Sequence, residues 1–188
     1  MIHNLWQKKP KLTYSKETQD IIQFGSSVME NTIPNDIDIA ILFQKIPLKE
    51  QLLQAQTIKH QLQKLTNLPI HITPFDLYSL FHEGNFAKEN ILIYGKSFIT
   101  KDYFSKKFNL TPKIQISYEL KNLKKKDKVR FHYLLKGKKG KYGLLRKYNG
   151  KLINPGLIEI LPEYEKIFLE SIKKITSKFK IKKILIQN

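Results

Sequence analysis

The sequence predicts an α/β (α+β) protein built in two parts, and three observations carry that expectation. Up to about residue 104, β-branched runs alternate with a long amphipathic stretch, the order of strands and helices packed in layers. Beyond that point the chain keeps strand-like and helix-like runs but becomes strongly basic. Of the net charge of +18, residues 1–104 contribute 11 Lys+Arg against 10 Asp+Glu, and residues 105–188 contribute 23 against 6. We therefore expect one domain over 1–104 and a small basic α+β domain over 105–188, with the boundary set by the charge shift.

In the first part, "IIQFG" (21–25) and "DIDIAILF" (36–43) read as strands. The second alternates, so Ile37 and Ile39 face one way while Asp36, Asp38 and Ala40 face the other. A long helix follows. Pro47 suits its first turn, and Leu48, Leu52, Ala55, Ile58, Leu62 and Leu65 recur at three- and four-residue spacing to make one apolar face through about Asn67. "LPIHITPF" (68–75) is a third strand, ended by Pro74, and Asp76 is placed to cap a short helix "LYSLF". "NILIYGKSFI" (90–99) reads as strand, turn and strand.

The basic part is less regular. "KIQISYEL" (113–120) fits a strand or the start of a helix, and "KKDKVRFHYLLKG" (125–137) fits a helix better than the strand its Val129, Phe131, Tyr133, Leu135 alternation would allow. Glycines at 137, 140 and 143 mark "GKKGKYG" as a flexible basic loop, followed by "LLRKYNG", a short helix stopped by Gly150. "KLINPGLIEI" (151–160) is a strand or hairpin. Pro162 opens a final helix with Glu163 and Glu165 at its positive end and Tyr164, Ile167, Phe168, Ile172, Ile175 and Phe179 as its buried stripe, and "IKKILI" closes as a strand.

Composition excludes several classes of function. A hydrophobic content of 41% supplies a core, so this is a folded chain. No run of about 18 apolar residues could cross a bilayer, and "MIHNLWQKKPKL" lacks the apolar segment of a secretory signal. The expectation is a cytoplasmic protein with no membrane partner. With no cysteine in the sequence, disulfides, thiolate metal sites and cysteine nucleophiles are excluded, and a bound metal would be held by oxygen or imidazole. That favours a hard cation such as Mg2+.

The stretch "FGSSVMENTIPNDIDI" concentrates the chemistry. A Gly-Ser turn leaving a strand brings backbone N–H groups close to a phosphate chain, since glycine carries no Cβ. Two carboxylates at i and i+2 of a strand project from one face, where they can hold Mg2+ against a triphosphate. Gly25, Ser26 and Ser27 are thus the nucleotide-binding candidates and Asp36 and Asp38 the candidate metal ligands, the alternative for each half taken alone being a common Gly-Ser turn and a solvated strand face.

Gly25-Ser26, nine intervening residues and then Asp36-Ile37-Asp38-Ile39 resemble the signature of the polymerase-beta-type nucleotidyltransferase superfamily, particularly its minimal branch. The resemblance covers residues 14–100, and "ILIYGKSFI" is similar to the segment that closes such domains. It implies a mixed sheet flanked by helices, Asp36 and Asp38 as metal ligands, and Gly25 and Ser26 on the nucleotide phosphates. It also implies a metal that activates an attacking hydroxyl and stabilises the leaving pyrophosphate. The family's third carboxylate lies on the next strand, where it completes the metal site or accepts the proton of the hydroxyl. Here that strand reads Ile70-His71-Ile72. His71 takes the place as a catalytic candidate, its alternative being a structural histidine, and Asp76 is better used as a helix cap.

In the basic part, lysines and arginines interleave with Phe131, Tyr133, Tyr142 and Tyr148, a mixture suited to neutralising a nucleic-acid backbone and stacking on bases, or else to a core with a solvated edge. Lys138, Lys139, Lys141 and Arg146 are the RNA-binding candidates, and His60 and His132 read as surface or packing residues. Together these expectations describe a magnesium-dependent nucleotidyltransferase that moves a nucleoside monophosphate from a nucleoside triphosphate to a hydroxyl. RNA, tRNA included, is the favoured acceptor. Transfer to a protein partner, as in toxin–antitoxin pairs, and a catalytically inactive RNA-binding module are the alternatives.

Overall fold

The computed structural model describes residues 4–138 and 141–187. The chain is α+β and forms two compact units, one comprising the chain up to Val28 with Thr32–Thr111, the other Met29–Asn31 with the chain from Pro112 onward. The first unit extends past the charge boundary at residue 104 to include a 3-10 turn, Phe104–Phe108.

The elements of the first unit are β1 (Thr18–Phe24), β2 (Ile37–Phe43), α1 (Leu48–Gln63), β3 (Ile70–Phe75), α2 (Leu77–Phe81), α3 (Lys88–Tyr94) and β4 (Lys96–Ser97). The four strands form a mixed sheet in the order β3-β2-β1-β4. β1 runs antiparallel to both β2 and β4, and β3 runs parallel to β2. Alternation along the two central strands divides their side chains between two cores. Ile21, Ile37, Ile39, Ile41 and Phe43 pack with Leu5 and with Ala55, Ile58 and Leu62 of α1. Ile22, Ala40 and Leu42 pack on the other face with Leu80 of α2, Ile91 of α3 and Phe104. With both faces covered, β2 offers a polar side chain to solvent only near its first residues.

Several features of this unit differ from the expectations, among them the end of α1 at Gln63 rather than near Asn67 and a second strand in 90–99 that is only Lys96–Ser97. The run "NILIY" is helical: Asn85 accepts a hydrogen bond from the Ala87 N–H at 3.0 Å just ahead of α3, whose Ile91, Ile93 and Tyr94 are buried. A short apolar run fits a buried helix as well as a strand, and this one is resolved by packing. Its helix lies so close to β1 that a Cβ on Gly95 would come within 2.9 Å of Ile22 Cγ2. Pro74 does not end β3 but pairs with Ile41, which an edge strand tolerates because its outer side needs no N–H donor. Pro47 is the residue before α1, outside its first turn. Leu48 and Leu52 are exposed, and the inward position of that turn is taken by Gln51, whose amide donates to the Ile46 carbonyl at 3.0 Å.

In the second unit, β5 (Leu110–Tyr118), which begins in the first, is followed by α4 (Lys125–Lys136), β6 (Gly137–Lys138), β7 (Lys141–Tyr142), α5 (Leu144–Lys147), β8 (Lys151–Asn154), β9 (Leu157–Ile160), α6 (Glu165–Lys173) and β10 (Phe179–Gln187). A sheet in the order β10-β5-β9-β8 forms its frame. Ile114 and Ile116 pair with Ile160 and Ile158, and all four are buried. The helical reading of 125–136 is correct, because Phe131 and Leu135, four residues apart, are its inward face. "KLINPGLIEI" is a hairpin turning at Pro155-Gly156. Within "GKKGKYG", expected as a flexible basic loop, Gly137–Lys138 pairs antiparallel with Lys141–Tyr142, and residues 139 and 140 lie outside the described residues. Phe179 belongs to β10, and the helix ahead of it buries Glu165, Phe168 and Ile172.

Candidate metal and nucleotide site

Strand register assembles the site. Antiparallel pairing sets Asp38 opposite Phe24, the last residue of β1, so the turn that begins at Gly25 starts beside Asp38. Parallel pairing sets Asp38 opposite His71 on its other side. Because side chains alternate with period two, a one-residue slip in either pairing would turn Asp38 or His71 to the opposite face. Asp36 lies one residue ahead of β2 and reaches the same place.

One donor atom each from Asp36, Asp38 and His71 lie within 4.8 Å of one another. His71 Nδ1 is 3.4 Å from Asp36 Oδ2 and 4.0 Å from Asp38 Oδ1. The histidine is exposed, and about a third of each carboxylate side chain remains in solvent. Asp38 is held above the ordinary carboxylate value, first by burial, which penalises its charged form, and second by the negative charge of Asp36, while His71 acts in the opposite sense. Two neighbouring carboxylates, one of them reluctant to ionise, fit a dication that would offset their repulsion.

Gly25 makes room for Asp38. Its φ is +73°, a left-handed conformation, and a Cβ built on it would lie 2.6 Å from Asp38 Oδ2. The absent side chain is what gives the Asp38 carboxylate its position. Ser26 is exposed at the start of the turn, on a short 3-10 segment, Gly25–Val28. Ser27 is buried, donates its hydroxyl to the Phe24 carbonyl at 3.1 Å and accepts from the Gln23 amide at 3.0 Å. Its hydroxyl therefore holds the turn to β1, and of the three residues expected to bind nucleotide Ser26 is exposed, Gly25 half-buried and Ser27 buried. The Gly25–Asp38 contact was not part of the sequence reading; the strand pairing creates it.

Asp76 is the cap expected of it. Its carboxylate accepts from the Ser79 N–H at 2.6 Å, Ser79 Oγ accepts from the Asp76 N–H at 2.9 Å, and the Ser79 N–H holds the carboxylate below its ordinary value. A cavity of about 480 Å³ beside it, lined by Phe43, Lys45 and Tyr78 among others, borders the last residue of β2, at the other end of that strand from Asp38.

The basic unit sorts its aromatics into two kinds. Phe131 is buried with its ring 4.6 Å from that of Tyr118, and Tyr148 packs 4.8 Å from Tyr164 and 6.1 Å from Phe168. Phe131 is a packing residue and is not available to stack on a base, whereas Tyr148 is half-buried and also has a cation, Lys147 Nζ, 5.0 Å from its ring centre. Tyr133 and Tyr142 are exposed, and each has a cation over its ring: Lys138 Nζ at 5.4 Å and Arg146 Cζ at 4.0 Å. Lys141 is exposed in β7, Lys139 lies outside the described residues, and His60 and His132 are both exposed. The sequence matches no protein-family model and no curated protein.

Proposed function

We propose that this chain is a divalent-metal-dependent nucleotidyltransferase that moves a nucleoside monophosphate from a nucleoside triphosphate to a hydroxyl, with RNA as the acceptor. The observation that carries this reading is the union, at one end of β2, of the Asp36–Asp38 pair with a left-handed glycine turn whose missing Cβ makes room for the Asp38 carboxylate. The donor set fits a dication, magnesium being the simplest choice for the two carboxylates alone. When bound, such an ion neutralises phosphate charge and activates the attacking hydroxyl. The remaining work belongs to the chain. Asp36 and Asp38 fix the charge at a defined point, the backbone at Gly25 and Ser26 admits the phosphates, and Ser27 keeps that turn against β1.

An RNA acceptor is supported by the basic composition of residues 105–188 and by the exposed Tyr133/Lys138 and Tyr142/Arg146 pairs, which combine a flat π face with positive charge. A second reading, an RNA-binding module without catalysis, is favoured by one observation, the histidine at the third ligand position. Each α-labelled triphosphate should be incubated with the protein, divalent metal, total RNA and total cell protein. Label on RNA that disappears with Asp36→Asn is the expected result. Label on protein would move the acceptor to a polypeptide, and no label under any of these conditions would leave the binding module as the better account.

A further inference from the structure

The Asp36–Asp38–His71 cluster differs from a simple acidic pair in one respect: its third donor is a nitrogen. His71 is held in position by β3, whose Ile70 is buried beneath the sheet and whose pairing with β2 is continuous from Ile37 to Leu42. Its ring is exposed, so nothing in a packed core explains where it sits. Ligand atoms sharing one ion at about 2.1 Å stand between about 3.0 and 4.2 Å apart, according to the angle between them. The separations of His71 Nδ1 from Asp36 Oδ2 and Asp38 Oδ1, 3.4 and 4.0 Å, fall in that range.

Magnesium is a hard ion that sheds water reluctantly and takes oxygen ligands, whereas first-row transition dications accept imidazole together with carboxylate. We infer that Asp36, Asp38 and His71 form a site for a first-row transition dication, with His71 Nδ1 as the third ligand, and that this ligand makes the site select such an ion over magnesium. The inference rests on reading the aspartate pair as metal ligands. It replaces magnesium as the resident ion and assigns His71 to metal holding; the proton of the acceptor hydroxyl then has to be taken by another group.

Manganese alone, with no nucleotide, is the probe, added to the full chain after removal of metals by chelation. Its binding is followed by loss of the free aquo-ion signal in electron paramagnetic resonance, and its ligands by pulsed measurement of 14N coupling. The wild-type protein should show an imidazole 14N coupling that is lost in His71→Ala, and should bind Mn2+ at least about a hundredfold more tightly than Mg2+, measured by competition. His71→Ala should weaken Mn2+ by about tenfold or more while Mg2+ changes less than about twofold, and His71→Asp should cut the Mn2+/Mg2+ ratio by about tenfold or more. Bound Mn2+ without 14N coupling, no Mn2+ binding, or a ratio unchanged in His71→Ala would each overturn the inference. Transfer of label supported by Mg2+ in a protein without 14N coupling would remove this inference and leave the proposed function standing. The coupling in a protein that labels no acceptor would do the reverse.

Discussion

At the residue scale, two independent constraints meet at Gly25. Its φ of +73° costs an L-residue about 1–2 kcal/mol, and its missing Cβ leaves the space occupied by the Asp38 carboxylate. Gly25→Ala should therefore destabilise the protein by about 1–2 kcal/mol in urea unfolding and weaken Mn2+ binding by about tenfold, since the new methyl group displaces a ligand. A folded variant with wild-type metal affinity would break the proposed link between the turn and the site. Asp38 gives a prediction of opposite sign. A carboxylate raised above its ordinary value of 3.8 binds a proton more readily folded than unfolded, so stability falls as pH rises through the window between 3.8 and the raised value, and the penalty persists above it. In the metal-free protein, Asp38→Asn should gain stability at neutral pH. Water screens a side chain that is one-third exposed, so the gain is below about 1 kcal/mol, and it should vanish as pH falls beneath 3.8. A loss of stability at neutral pH in chelator would contradict this.

At the element scale, α2 depends on its first residue. It spans only Leu77–Phe81, too short to be stable by itself, and is held by the reciprocal Asp76–Ser79 cap and by Leu80 inserted against Ile22, Ala40 and Leu42. Asp76→Ala should cost about 1 kcal/mol, with Asp76→Asn retaining most of the stability at neutral pH. The charged cap's contribution is present above the ordinary carboxylate value and is lost as pH falls through the depressed one, so the difference between wild type and Asp76→Ala should shrink in acid. Along α1, the apolar spacing overstated the buried face. Leu62 is fully buried, and Leu62→Ala should cost about 2–5 kcal/mol, whereas Leu52→Ala, at an exposed position, should stay within about 0.5 kcal/mol. Leu48 and Leu52 carry the same helical period as the core residues yet are exposed, and periodicity alone does not reveal how far the sheet extends beneath the helix.

At the scale of the whole molecule, charge is the distinguishing property. If the basic part of the chain binds RNA, the log-log dependence of affinity on salt should be steep, each neutralised phosphate contributing about 0.7 to 0.9 to the slope. Replacing Lys138, Lys141 and Arg146 together should lower that slope by about 2 to 3, while Tyr142→Ala should weaken binding of a single strand by about 1–3 kcal/mol and leave the slope in place. A salt-insensitive interaction would leave these cations as a solvated face. Phe131→Ala, in contrast, should act through stability, because that ring is buried against Tyr118.

Alternation, cap chemistry and charge are local or additive, and they make the first three strands of the first unit, the D-x-D pair and its facing side, the Asp76 cap, the terminal strand and the basic half legible in the sequence. Tertiary structure decided what depends on neighbours distant in the chain. Ile91 and Tyr94 became helical because α3 had to cover Ile22 and Leu42 beside Phe104. The outward position of Leu52 and the inward position of Gln51 follow from where the sheet meets α1. Ser27 turned from a ligand candidate into a strut once Gln23 and Phe24 claimed its hydroxyl. The meeting of Gly25, Asp38 and His71 was settled in the same way, by the pairing of β2 with β1 on one side and β3 on the other. Local rules set which side chains share a face of a strand, but the residue opposite each one is set by register, which only the packed sheet fixes.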